Sequence, residues 1–156
     1  MFEASFAGSM IAWGKLNGKV KDFSLINVTT KDTLFVRSEF KGGNESQDYY
    51  NINLYHTINK EGKSVVGIKK SELKFKDYLW FLNEDENENN KIVFDKSLKN
   101  FDIEQIELSH ENQRIELLGQ IKGVNYKDLK LDFQNVNLNK VLPEMEKFSI
   151  AGQLNG

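Results

Sequence analysis

The stretch GQIKG at residues 119–123 decides the fold, because it recurs as GKLNG at 14–18 and as GQLNG at 152–156. The residues that follow the first copy, 22–28, resemble those that follow the second, 128–136. A strand-and-turn phrase that repeats in this way is typical of stacked β architectures. The copies are unequally spaced, which favours an irregular array of strands over a strict solenoid. The last copy closes the chain, so we expect these residues to be one section of a longer array.

Composition describes an ordinary globular chain. The 156 residues are 39% hydrophobic and 28% charged, with a net charge of −2. This balance gives no electrostatic reason to expect a nucleic-acid partner. The absence of cysteine excludes disulfides and thiol chemistry. No run approaches the roughly 18 apolar residues of a membrane helix, and residues 1–5 lack the features of a signal peptide. We therefore expect any targeting segment to lie outside this chain.

Period-two alternation is the dominant pattern. The clearest example covers residues 50–58, where Tyr50, Ile52, Leu54 and Ile58 alternate with polar residues. The same alternation occurs in the segments 115–121 and 129–133. Apolar residues on one side and polar residues on the other indicate an antiparallel sheet that is wetted on one face. The sequence thus predicts an all-β chain with little helix.

Breaks in the alternation predict the turns. Residues 59–62 read as a hairpin loop between strands at 49–58 and 63–69. The acidic, Asn-rich run at 83–90 reads as a solvated loop, because it lacks the ligand spacing and internal glycine of a calcium loop. Residues 139–145, which contain Pro143, could form a single helical turn.

No catalytic constellation is present. We interpret His56 and His110 as structural, since neither has a nucleophile or an acid partner at a recognisable spacing. Asp102, Glu104 and Glu107 alternate with aliphatic residues and read as the wet face of a strand. The chain is therefore predicted to be non-enzymatic, with no cofactor and no metal ion.

One aromatic segment, 75–82, is apolar at both parities around Trp80. Core packing is the default interpretation of such a strand, and contact with an apolar ligand or partner is the alternative. A further alternative is a polysaccharide-binding adhesin that uses Trp80 and Tyr78.

The segment 106–121, continued by 128–133 and 150–156, closely resembles the repeating region of the TamB family of translocation and assembly module proteins, within the AsmA-like superfamily. Residues 54–68 and 80–83 also resemble that region, so the resemblance covers nearly the whole chain, 1–156. It implies a long curved antiparallel sheet that forms an open, β-taco-like trough with an apolar interior. It also implies a periplasmic location in a protein anchored in the inner membrane. The implied functions are phospholipid movement between membranes and outer-membrane protein assembly with a BamA-like barrel partner.

An open sheet must cover its apolar face with something, and acyl chains can serve in a trough. We expect the trough interior to be lined by Ile52, Leu54, Ile115, Leu117, Ile121, Leu129, Leu131 and Phe133. An alternative hypothesis is a scaffold that pairs its strand edges with nascent outer-membrane strands by β-augmentation. The first and last strands of the isolated chain could also pair edge to edge and form a dimer.

Overall fold

The computed structural model describes residues 2–13, 18–42, 47–75, 78–138 and 152–156, with the backbone alone at 2–13 and 18–20. These residues form thirteen β-strands and almost no helix. The strands are β1 Phe2–Trp13, β2 Gly18–Thr30, β3 Thr33–Gly42, β4 Asp48–Ile58, β5 Ser64–Ile68, β6 Ser71–Phe75, β7 Tyr78–Leu82, β8 Lys91–Phe94, β9 Asn100–His110, β10 Gln113–Lys122, β11 Tyr126–Gln134, β12 Val136–Asn137 and β13 Gln153–Leu154. All named pairs of strands are antiparallel, which confirms the all-β, antiparallel part of the predicted fold class.

The main sheet is a meander in which most neighbours in space are neighbours along the chain, the exceptions being the pairs β4–β6, β5–β8 and β7–β9. Strands β1, β2, β3 and β4 pair in sequence order, and so do β9, β10 and β11. Short turns join most of these strands. In the turn after β4, Asn59 accepts hydrogen bonds from the backbone N–H groups of Glu61 and Lys63 through its side-chain oxygen. Gly62 adopts a φ of 75° there, so the predicted hairpin loop at 59–62 is confirmed.

We call each strand position across the sheet a row. Two rows of this meander each consist of two short strands that follow one another. Strands β5 and β6 follow one another along one edge of β4, while β3 occupies its other edge. At the junction, the backbone N–H of Asn53 donates to the Ser71 hydroxyl at 2.9 Å, and the N–H of Lys69 donates to the Asn53 carbonyl at 2.9 Å. The backbone groups of β4 therefore stay paired where the row is interrupted, as buried backbone requires.

The next row consists of β7 and β8, which together follow one edge of β9. The loop at 83–90 leaves the row after β7 and returns to it before β8. Its two ends are buried: the side-chain N–H of Asn83 donates to the Ile68 carbonyl at 2.6 Å, and the Asn90 side-chain oxygen accepts from the backbone N–H of Glu107 at 2.9 Å. The exposed middle of this loop, Asp85–Asn89, agrees with the predicted solvated loop.

A separate, two-stranded sheet lies beyond the end of β11. Strand β12 follows β11 after Asn135, which has a φ of 52°, and pairs with β13. Gly156 exchanges two backbone hydrogen bonds with Phe133, of 2.7 and 3.0 Å, so residues 152–156 lie along the end of β11. The predicted turn at 139–145 and the glycine phrase at 14–17 lie outside the described residues. No helix in the described part of the chain is long and apolar enough to cross a membrane.

Candidate functional site

One face of the sheet is apolar across consecutive rows, and the strand register shows this directly. Residues that oppose one another across a strand pair point to the same side of a sheet. Leu54 in β4 lies opposite Val36 in β3 and Ile68 in β5. The same side can therefore be followed from row to row through the remaining pairs.

The trace continues from β5 to β11. Val66 lies opposite Ile92, which in turn lies opposite Ile103. Further along β9, Ile106 and Leu108 lie opposite Leu117 and Ile115 of β10, and these lie opposite Leu131 and Phe133 of β11. We call this side the apolar face; its members from β3 to β11 include Val36, Phe40, Ile52, Leu54, Val66, Ile68, Leu73, Trp80, Leu82, Ile92, Phe94, Phe101, Ile103, Ile106, Leu108, Ile115, Leu117, Ile121, Leu129, Leu131 and Phe133.

All eight residues predicted to line the trough lie on the apolar face. Two of them, Ile52 and Leu54, are in β4, and the other six are in β10 and β11. Sequence reasoning missed the members in between, on β5 to β9. The signal was present in the alternation of Phe101 with Ile103 and of Ile106 with Leu108, but the interrupted rows concealed how these strands connect.

None of these eight side chains is fully buried. Six are partly exposed, and Leu129 and Leu131 are 48% and 49% exposed. Among the side chains that the structure describes, the buried apolar ones are Val65, Trp80 and Val136 alone. The chain exposes 10862 Å², whereas a compact monomer of 18.0 kDa exposes roughly 8000 Å². The apolar face is thus only partly covered by the chain's own side chains.

The opposite face, which we call the polar face, carries most of the ion pairs, and it also exposes some apolar side chains, among them Phe35 at 41% and Leu79 at 38%. Arg37 pairs with Glu39, Lys91 with Glu104 at 3.1 Å, and Lys130 with Asp132 at 3.5 Å. Exposed pairs of this kind contribute little stability, about 0–1 kcal/mol each. Their position on one side identifies the solvent face of the sheet.

Glu107 is buried, contrary to the prediction that it lies on a solvent-exposed strand face. Asp102 and Glu104 are exposed, as a wet strand face requires, but Glu107 is only 6% exposed. The cause is the loop at 83–90, whose Asn90 bonds the backbone of Glu107, together with Arg114, which forms an ion pair with the Glu107 carboxylate. Burial of this carboxylate is offset by its paired guanidinium.

Trp80 is fully buried on the apolar face. Its ring lies 5.2 Å from that of His110 and 6.4 Å from that of Phe75, measured between centroids. Core packing is therefore the correct interpretation of this aromatic segment at Trp80, and an adhesin that stacks a sugar on Trp80 is excluded. His110 also packs here, with its Nδ1 2.7 Å from the Leu79 carbonyl oxygen, which agrees with a structural role.

An open cleft of about 340 Å³ lies on the polar face beside the loop at 83–90. Phe35, Tyr55, Lys69 and Lys91 contribute to its walls. Tyr55 lies flat over Gly67, where a Cβ atom would come within 1.9 Å of the ring. The aromatic ring thus occupies the space of the missing side chain.

The described residues contain no cluster of three or more His, Asp or Glu side chains arranged to hold a metal ion. Comparisons with protein-family models, with curated proteins and with solved structures returned no match for this chain.

Proposed function

We propose that this chain is a non-enzymatic segment of an envelope-spanning, TamB-like protein, and that its apolar face shields lipid acyl chains. In this proposal the sheet curves into an open trough in the periplasm, within a protein anchored in the inner membrane. The trough supports phospholipid movement between the two membranes and outer-membrane protein assembly with a BamA-like barrel partner. The family assignment comes from the sequence resemblance at 106–121 and its continuations.

One observation carries the lipid proposal: the apolar face is continuous from β3 to β11 and only partly covered. A contiguous, exposed apolar surface marks a site that contacts another apolar body. Acyl chains meet this requirement, because burying each CH₂ group contributes about 0.8 kcal/mol. Their recognition needs no hydrogen-bonding group, which fits a face lined by aliphatic and aromatic side chains.

The test compares the phospholipid bound by two variants of β11. One adds a negative charge to the apolar face, and the other adds a negative charge to the polar face. Leu131→Glu places a carboxylate on the apolar face, where Leu131 is 49% exposed. Gln134→Glu adds the same charge on the polar side of the strand, opposite Arg114. A fully buried leucine side chain contributes about 1.5–3 kcal/mol to the free energy of unfolding, so the half-exposed Leu131 contributes roughly 1 kcal/mol. Because this loss is small, both variants should fold.

Native mass spectrometry after gentle purification is the measurement. We expect phospholipid adducts on the parent chain and on Gln134→Glu, and about tenfold weaker binding in Leu131→Glu, since a carboxylate among acyl chains costs more than 1.4 kcal/mol. A parent chain that carries no lipid, and binds none when vesicles are supplied, would refute the proposal. Equal lipid binding by the two variants would place the site elsewhere.

The scaffold hypothesis has one observation in its favour, the unpaired outer edge of β1 within the described residues. An open edge can add a strand from another protein through main-chain hydrogen bonds. Photo-crosslinking from β1 in the presence of an unfolded outer-membrane protein distinguishes the two functions. Crosslinks to that protein, without bound lipid, would favour the scaffold.

A further inference from the structure

Four turns join neighbouring strands at one end of the main sheet. Because the strands they join are consecutive in the sheet, the turns lie side by side along that end. The last two turns are in direct contact, since the N–H of Gly123 donates to the Lys99 carbonyl at 2.9 Å. We call this region the basic end and define it as each turn with the strand residue on either side: 30–33, 58–64, 94–100 and 122–126.

The basic end is positively charged, although the whole chain has a net charge of −2. It contains six lysines and three carboxylates, and therefore has a net charge of +3. Two of the carboxylates are engaged: Glu61 pairs with Lys63 at 2.7 Å, and Asp95 accepts hydrogen bonds from its own loop. Five exposed lysines of this region form no ion pair among the described residues: Lys31, Lys60, Lys96, Lys99 and Lys122.

Apolar side chains lie among these lysines. Leu98 and Val124, in two of the turns, are 62% and 88% exposed. The apolar face also reaches the basic end, because Phe94 lies opposite Phe101, and Phe101 lies opposite Ile121. A surface that combines lysines with aliphatic side chains matches an amphiphile, in which a charged headgroup and a hydrocarbon are covalently joined.

The other end of the strands has a different charge. Its described turns, at 111–112 and at 135, contain no lysine. The side chain of Glu111, in the first of these turns, is 70% exposed. Because a carboxylate repels a phosphate, an anionic headgroup is more stable at the basic end than at this one.

We infer that the basic end binds the phosphate of phospholipid headgroups, so that the apolar face takes up anionic phospholipids in preference to zwitterionic ones. This inference rests on the proposed function, because it places the acyl chains of the same lipids on the apolar face. Lysine binds phosphate as a point charge. A phosphatidylglycerol headgroup has a net negative charge, whereas phosphatidylcholine carries its own cation, which offsets the attraction to lysine.

The length of the strands fits this arrangement. On β9 the apolar face extends from Phe101, at the basic end, to Leu108. These seven steps along the strand cover roughly 23 Å at about 3.3 Å each. The acyl chains of one membrane leaflet span about 15 Å, half of the hydrocarbon core. An acyl chain can therefore lie along the strands while its headgroup phosphate contacts the lysines of the basic end.

The experiment supplies equal amounts of phosphatidylglycerol and phosphatidylcholine with identical acyl chains. The full chain is re-isolated by size-exclusion chromatography, and its bound lipids are extracted and quantified by mass spectrometry. We expect at least about threefold more bound phosphatidylglycerol at low salt, since each exposed lysine contributes about as much as an exposed ion pair. The ratio should approach one as the salt concentration rises from about 0.01 M to about 1 M, because salt screens exposed charges.

Two double variants test where the preference arises. Lys96→Gln with Lys99→Gln removes two exposed charges from the basic end and should reduce the ratio about threefold. Lys74→Gln with Lys130→Gln is the matched control, because it removes two exposed lysines from the polar face and should leave the ratio unchanged. Uptake of phosphatidylcholine should be the same in both variants. All four side chains are exposed, and far-UV circular dichroism checks that both variants fold.

The outcomes separate this inference from the proposed function. Equal uptake of the two lipids overturns the inference and leaves the proposed function standing, whereas a chain that binds neither lipid refutes both. An equal loss of preference in the two double variants also overturns the inference. Inorganic phosphate should compete no better than chloride at the same ionic strength, and specific competition would identify a free-anion site instead. A chain that floats with vesicles but extracts no lipid would identify contact with a bilayer surface, which also overturns the inference.

Discussion

Gly119 is the residue whose replacement best tests the packing of β10 against β11. Its φ is 136°, in a region that L-residues rarely adopt. A Cβ atom at this position would lie 2.1 Å from the Asp128 carbonyl oxygen and 2.9 Å from the Leu129 Cα. Both atoms belong to the backbone of β11 and cannot rotate away. Gly119→Ala must therefore move the two strands apart locally.

The expected cost of Gly119→Ala is about 3–5 kcal/mol in the free energy of unfolding. Backbone strain at a sparsely populated φ contributes about 1–3 kcal/mol. Local separation of β10 from β11 weakens one or two ladder hydrogen bonds, at about 0.5–1.5 kcal/mol each. Since whole domains are stable by about 5–15 kcal/mol, this loss should be large enough to lower the denaturation midpoint clearly.

Gly123→Ala is the matched control within the same glycine phrase. Gly123 has a φ of 60°, and no atom lies within 4 Å of its Cβ position. Alanine there incurs the left-handed strain of about 1–2 kcal/mol without a clash. Urea unfolding followed by far-UV circular dichroism measures both variants, and an unchanged m-value ensures that the comparison is of stability. If the two variants lose the same stability, the close approach at Gly119 is not a structural constraint and the reasoning fails.

Two other sites give predictions with separate readouts. Trp80→Ala should lower the free energy of unfolding in urea by about 3–5 kcal/mol, because Trp80 is fully buried. Trp80→Phe should lower it much less, since it keeps a ring and removes an indole N–H that has no acceptor. Equal losses in the two variants would contradict this packing. The backbone N–H of Lys99 is the main cause that holds the pKa of Asp95 at about 2, below its ordinary 3.8. The stabilisation by Asp95 is therefore present above pH 3.8 and lost as the pH falls through about 2, so the stability difference between the parent and Asp95→Asn should disappear over that window in acid titrations. A difference that persists below pH 2 would contradict this.

Much of the fold follows from local sequence rules. Alternation over 50–58 predicts both the strand β4 and which side of it is apolar, because a period of two has only one structural solution. The glycine phrase predicts special backbone conformations, and Gly119 and Gly152 have nearly the same φ, 136° and 139°. Each of these features depends on a few residues that are close together in the sequence, and so the local sequence pattern predicts it.

The interrupted rows could not be predicted in this way. An eight-residue loop that returns to its own row looks, in sequence, like a loop between two separate strands. The distinction lies in contacts far apart along the chain, from Asn83 to Ile68 and from Asn90 to Glu107. The burial of Glu107 has the same origin. The alternation around it predicts only that its side chain lies on the other side of the sheet from those of Ile106 and Leu108. Long-range hydrogen bonds to backbone groups leave no periodic signal.

The apolar face stays a single surface even where the alternation along β9 fails. In β9 the apolar residues are spaced by two from Phe101 to Ile103, by three to Ile106, and by two again to Leu108. A regular strand would put Ile106 and Leu108 on the polar face. The register instead shifts by one residue between these positions on both neighbours of β9, which is a β-bulge. The bulge absorbs the extra residue, so the apolar side chains stay on one side of the sheet. The change of spacing and the bulge coincide at one point, and together they keep the apolar face continuous across β9.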